Sequence, residues 1–111
     1  MIKVKGRKIL ITRGDCRPFT ITFTGTDVPE NGTAVLFTVK KVSERSDPVI
    51  EKRLEINDGR VVILLKNADT KDLPFGDYEW DIRLPNMYGE NEPYTPMDPA
   101  PFEILKVIGN V

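Results

Sequence analysis

The sequence predicts an all-β fold, an antiparallel β-sandwich of about seven strands, and three observations carry that expectation. Apolar residues recur at period two along most of the chain. No stretch keeps a 3.6-residue period beyond one turn, and Gly, Pro, Asn and Asp interrupt the alternation at short intervals. Sheets with one face in a core and the other in water produce this pattern. At 111 residues the chain, 1–111, has room for one domain, burying roughly two-thirds of the surface its unfolded state exposes.

Taken in order, Lys8 to Thr12 is the first expected strand. Phe19, Ile21 and Phe23 then alternate with Thr20, Thr22 and Thr24, which marks a half-buried strand. Val35, Phe37 and Val39 alternate with Ala34, Leu36, Thr38 and Lys40 in the same way. Val49 to Ile56 and Arg60 to Lys66 flank Asn57-Asp58-Gly59, a hairpin signal because tight hairpin turns need positive φ. Tyr78, Trp80, Ile82 and Leu84 alternate with Asp77, Glu79, Asp81 and Arg83, and Phe102 to Val107 is the last strand. Arg13-Gly14-Asp15, Val28 to Gly32 and Ser43 to Pro48 supply the turns between them. A barrel of similar strand count is the structural alternative.

The segment Leu73-Pro74-Phe75-Gly76-Asp77-Tyr78-Glu79-Trp80 narrows the sandwich type. Immunoglobulin-like sandwiches carry a tyrosine corner here, whose hydroxyl bonds back to the backbone upstream, with a core cysteine two residues later. Tyr78 fits the corner, and Trp80 fills the cysteine position with apolar volume. Phe19, Ile21 or Phe23 is expected to face it. Thr70 is expected to cap a single helical turn before Leu73.

Composition removes most catalytic chemistries. The chain has no histidine and one cysteine, so Ser-His-Asp and Cys-His catalysis, an imidazole metal site and an internal disulfide are all excluded. Asp77, Glu79 and Asp81 share a strand face, but alternate residues stand roughly 6.6 Å apart, too far to close on one ion unaided. No cofactor, metal, small-molecule substrate or enzymatic activity is expected. Arg13-Gly14-Asp15 matches the tripeptide read by integrins, but a chain reversal at Gly14, closed by Asp15, is the expected role.

No apolar run is long enough to span a bilayer, and the N-terminus lacks the apolar core of a secretory signal. Export through a standard secretory signal is therefore not expected, and a cytoplasmic site of expression is. The net charge of −1 is unevenly spread: residues 1–17 carry +5, and the rest carries −6. Lys3, Lys5 and Lys8 lie in that basic arm, which guards a strand edge or meets an acidic protein surface. It lacks the aromatic interleaving of single-strand binding, so no nucleic acid is expected.

Residues 85–101 form a long Pro-rich loop before the last strand, holding five of the nine prolines. Such loops are often functional, and Tyr88, Tyr94 and Met97 give this one apolar contact area. A second feature concerns the strands. If Val35, Phe37 and Val39 point inward, Leu36 points outward; if Val61, Ile63 and Leu65 point inward, Val62 and Leu64 point outward. Outward apolar residues call for cover, from the chain itself or from another subunit.

The run Ile11-Thr12-Arg13-Gly14-Asp15 and the following Phe/Ile/Phe strand resemble the N-terminal domain of phage baseplate upper proteins. The resemblance continues through Val35 to Lys40, Ile63 to Leu65, Asp69-Thr70, Leu73, Gly76, Tyr78 and Trp80-Asp81-Ile82. That family is an immunoglobulin-like sandwich of prophage structural proteins. The resemblance implies a non-enzymatic structural module of a phage or prophage tail, a virion component that assembles with its own copies and with other tail proteins. The expected contacts are Leu36, Val62, Leu64, Tyr88, Tyr94, Met97, Lys3, Lys5 and Lys8. A sandwich binding carbohydrate or cell-wall polymer through Tyr88 and Tyr94 is the alternative.

Overall fold

The structure, a computed structural model, describes residues 8–25, 28–42 and 47–106, together with the backbone of 2–5. It is an all-β fold. The strands are β1 (Ile2–Lys5), β2 (Ile9–Thr12), β3 (Arg17–Gly25), β4 (Ala34–Lys41), β5 (Ile50–Glu55), β6 (Arg60–Leu65), β7 (Gly76–Arg83) and β8 (Ala100–Leu105). One helical turn, α1 (Asn67–Thr70), lies between β6 and β7. The strands form a three-stranded sheet, in the order β1-β3-β6, and a five-stranded sheet, in the order β2-β8-β7-β4-β5.

Every expected strand is present, and β1 is additional. Ile2-Lys3-Val4-Lys5 alternates over only four residues in a cationic stretch, yet its backbone pairs with the far end of β3, Ile2 opposite Gly25. The pairing is not wholly antiparallel as expected. β2 runs parallel to β8, with Ile9 opposite Phe102 and Thr12 opposite Leu105, so the larger sheet is mixed. The last strand also opens earlier than expected, because Ala100 already pairs with Trp80. Val107 lies outside the described residues.

Alternation dictates which faces become core. Inward residues of both sheets make one apolar cluster in which Phe37, Trp80, Phe102, Ile63 and Leu65 are fully buried. Trp80 is 1% exposed and packs its ring 5.8 Å from Phe37, with Ile21 and Phe23 in the same cluster. The Tyr78 hydroxyl donates to the Pro74 carbonyl at 2.8 Å, closing the corner, and its ring meets Phe102 edge-on at 6.4 Å. Burial raises the Tyr78 phenol above its ordinary pKa, so it keeps the proton that this bond requires.

The turn Asn57-Asp58-Gly59 forms as its residues dictate. Asp58 and Gly59 take φ of 54° and 71°, and Asn57 and Arg60 exchange backbone bonds of 2.9 and 3.1 Å. The hairpin ends there. Beyond it β5 pairs with β4 in the larger sheet, while β6 pairs with β3 in the smaller one. A tight turn fixes the local reversal only. The two strands part because each has an inward face to bury in a different sheet.

At the opposite end, the β2–β3 turn is bolted to α1. Gly14, at φ 86°, donates its N–H to the Thr70 hydroxyl at 2.8 Å, and its carbonyl accepts from the Asn67 side-chain amide at 2.9 Å. Asp15 closes the turn by donating its N–H to Thr12. Thr70 does not cap the helical turn as expected. It is the last residue of α1 and fully buried, whereas the first turn is satisfied by Asp69, which accepts from the Lys66 N–H at 2.8 Å.

Candidate functional site

The smaller sheet has two edge strands, β1 and β6, and β6 carries exposed apolar residues. Its inward residues Val61, Ile63 and Leu65 are buried, and its outward residues are Arg60, Val62 and Leu64. Val62 is 55% exposed and Leu64 45%. In register beside them on β3 stand Thr22, Thr20 and Pro18, opposite Arg60, Val62 and Leu64 respectively. The outer face of these two strands thus carries one charge, on Arg60, and that guanidinium already meets Asp58 at 3.4 Å. Among the described residues no strand pairs with the far side of β6. Its outward-directed backbone groups therefore offer unpaired donors and acceptors beside an apolar strip.

Leu36 sits differently. It is only half-buried on the outer face of β4, between Arg53 of β5 and Arg83 of β7 in register. Long arginine stems beside an apolar side chain cover it from water, which a reading of alternation alone misses. Lys8 is exposed, and its ammonium meets Glu103 at 3.3 Å, so that charge is answered within the chain. Lys3 and Lys5 lie on β1, and their side chains fall outside the described residues.

The Pro-rich loop folds back on the molecule. Leu84 and Tyr94 exchange backbone hydrogen bonds of 2.7 and 2.9 Å, pinching residues 85–93 into a small lobe. Asn86 accepts from the Asn91 N–H inside it. Tyr94 and Met97 are half-buried against the core, while Tyr88 is 60% exposed with its ring edge-on to Tyr94 at 5.8 Å. The structure therefore separates the three loop residues: two pack inward and one is presented to solvent. None stands on β6.

On the outer face of the larger sheet, Thr38, Lys40, Glu79 and Asp81 line a shallow depression of about 200 Å³ that reaches Pro99. Asp77 and Glu79 are exposed. Asp81 is half-buried, and loss of solvent raises its carboxyl pKa despite the opposing pull of Lys40 and Arg83. Among the described residues no three Cys, Asp or Glu side chains converge to hold a metal ion. Cys16 is exposed beside Arg17, whose guanidinium stacks over Phe19 at 5.1 Å. Sequence reasoning missed one exposed aromatic, Phe75, which carries Arg13 over its ring at 4.1 Å and Lys106 at 5.9 Å. Its place beside the corner tyrosine offered no signal that two cations from distant segments would meet over it.

Among the described residues no helix is long and apolar enough to cross a membrane. No protein-family model matches the chain, and no curated protein matches it in sequence.

Proposed function

We propose that this chain is a non-enzymatic assembly module, an immunoglobulin-like sandwich of the phage or prophage tail type, working through contacts with its own copies and with other tail proteins. The immunoglobulin-like reading draws support from strand order. β8-β7-β4-β5 follows the G-F-C-C′ order of a variable-type sheet, and β3 beside β6 follows B and E in the facing one. The Tyr78–Pro74 bond and the buried Trp80 two residues on support it further.

One observation carries the assembly reading: Val62 and Leu64 stand exposed on a strand whose outer edge has no partner among the described residues. Burying such a strip against protein removes apolar area from water at about 25 cal/mol per Å² and satisfies backbone groups at the same time. Light scattering over a concentration series tests it. Growth of the mean mass with concentration is expected, and a strict monomer at high micromolar concentration would falsify the self-assembly reading. The phage-tail context rests on the sequence resemblance, and co-purification with baseplate components from an induced lysogen tests it.

A second reading, binding of a carbohydrate or cell-wall polymer, rests on exposed Tyr88 braced by Tyr94. Aromatic faces presented this way stack on sugar rings. Tyr88→Ala would then abolish retention on cell-wall material, and an intact protein that is not retained removes this reading.

A further inference from the structure

Resting on the assembly reading above, we propose that the partner at β6 is a second copy of this chain, joined by antiparallel β6–β6 pairing about a two-fold axis at Val62. Such pairing would merge two three-stranded sheets into one six-stranded sheet. The contact is isologous, so it closes at a dimer.

The pleat limits the possible registers. Inward Val61, Ile63 and Leu65 must stay level with inward residues of the copy, and outward Arg60, Val62 and Leu64 with outward ones. With Val62 on the axis, Arg60 lies opposite Leu64 of the second copy, and the apolar strip is continuous across the join. The turn that carries Asp58 in each copy then faces the Lys66 end of the other, bringing opposite charges together at both ends of the paired segment. Moving the axis to Ile63 places Arg60 opposite Lys66 twice, a like-charge pairing that opposes association. Moving it to Val61 shortens the paired segment and drives the Asn57–Arg60 turn toward the copy. Charge and length therefore select the Val62 axis.

Outward exposure makes the pairing testable by cross-linking without disturbing the core. In a background carrying Cys16→Ser, the variants Val62→Cys, Arg60→Cys, Leu64→Cys and the Arg60→Cys/Leu64→Cys double are oxidised under identical mild conditions. Directly opposed Cα atoms lie about 4.5–5.5 Å apart, inside the disulfide range. Arg60 and its own copy are four residues out of register, about 13 Å apart. Leu10→Cys, also outward and 41% exposed but on β2, reports random collision.

Val62→Cys is expected to form covalent dimer about tenfold faster than Leu10→Cys. The double variant should match it, while either single variant at 60 or 64 should match the Leu10 control. Sedimentation of the Cys16→Ser parent separates the ways to fail. A parent that stays monomeric at high micromolar concentration overturns both this pairing and the self-assembly reading. A parent that associates while Val62→Cys cross-links no faster than Leu10→Cys overturns this pairing alone. Equal rates at 60, 62 and 64 overturn the register.

Discussion

β5 and β6 leave one tight turn in opposite directions, and each ends as the edge of its sheet. β5 exposes Glu51, Arg53 and Glu55 along its outer face, and its half-buried Lys52 reaches Asp69 of α1 at 3.0 Å. β6 exposes Val62 and Leu64, with charge only at Arg60. Long charged side chains on an edge oppose the approach of another strand, because pairing would strip them of water. A run such as Val61 to Leu65 has no such obstacle and high strand propensity. Defence against edge pairing is thus local in this molecule: one edge carries it and the neighbouring edge does not. Of these two edges only β5 is guarded, so between them association is directed to β6.

The largest expected effect breaks both edges together. Trp80→Ala empties the centre of the shared core and should cost about 3–5 kcal/mol, a large part of the 5–15 kcal/mol typical of a domain. Denaturant unfolding followed by circular dichroism reads the loss, and association should vanish with the fold. Next, Val62→Lys/Leu64→Lys charges the β6 edge as β5 is charged. It should weaken association by about tenfold or more while moving unfolding stability by less than about 1 kcal/mol, since both residues are outward. Sedimentation and urea melts on the same samples separate the two quantities.

The strands were legible because alternation is a local property of the sequence, and the corner was legible from the spacing of Leu73, Gly76, Tyr78 and Trp80. Pairing partners were not. The parallel match of β2 to β8 joins residues nearly a hundred positions apart, and no pattern within either strand encodes it. Asn57-Asp58-Gly59 announced its turn but could not announce that its strands part into different sheets. Exposure followed the same divide. Val62 and Leu64 read correctly as outward, whereas the cover over Leu36 depends on Arg53 and Arg83 arriving on neighbouring strands. Thr70 read as a helix cap because its role depends on Gly14, brought near only by the fold.

That buried contact gives the next prediction. Thr70→Val keeps the shape and removes the acceptor of the Gly14 N–H, costing about 1–2 kcal/mol. Thr70 is fully buried and faces Gly14, not the outward face of β6, so melts should shift while association carried by Val62 and Leu64 changes much less. Any loss of association is expected to come through Lys66, the cap residue of α1, and to stay well below that of Val62→Lys/Leu64→Lys.

The smallest effect concerns pH. Burial raises the Asp81 carboxyl above its ordinary value in the folded chain. Between the unfolded and folded values the folded state binds more protons, so stability increases as pH falls through that window. Above it the ionised carboxylate opposes folding slightly, screened in part by solvent, Lys40 and Arg83. Asp81→Asn should therefore flatten the melting temperature across the acidic range and leave it equal or slightly higher at neutral pH. Asp81 stands on the larger sheet, so association at β6 should not follow this titration.

Sedimentation velocity on the wild-type chain, on Val62→Lys/Leu64→Lys and on Arg53→Ala/Glu55→Ala, each from low to high micromolar concentration, tests the contrast between the two edges most directly. The wild-type chain should pass from monomer to dimer. The β6 variant should remain monomeric, and the β5 variant, stripped of its guard, should dimerise and add larger species. Superimposable profiles for the wild type and the β6 variant would contradict the assignment of β6 as the contact edge.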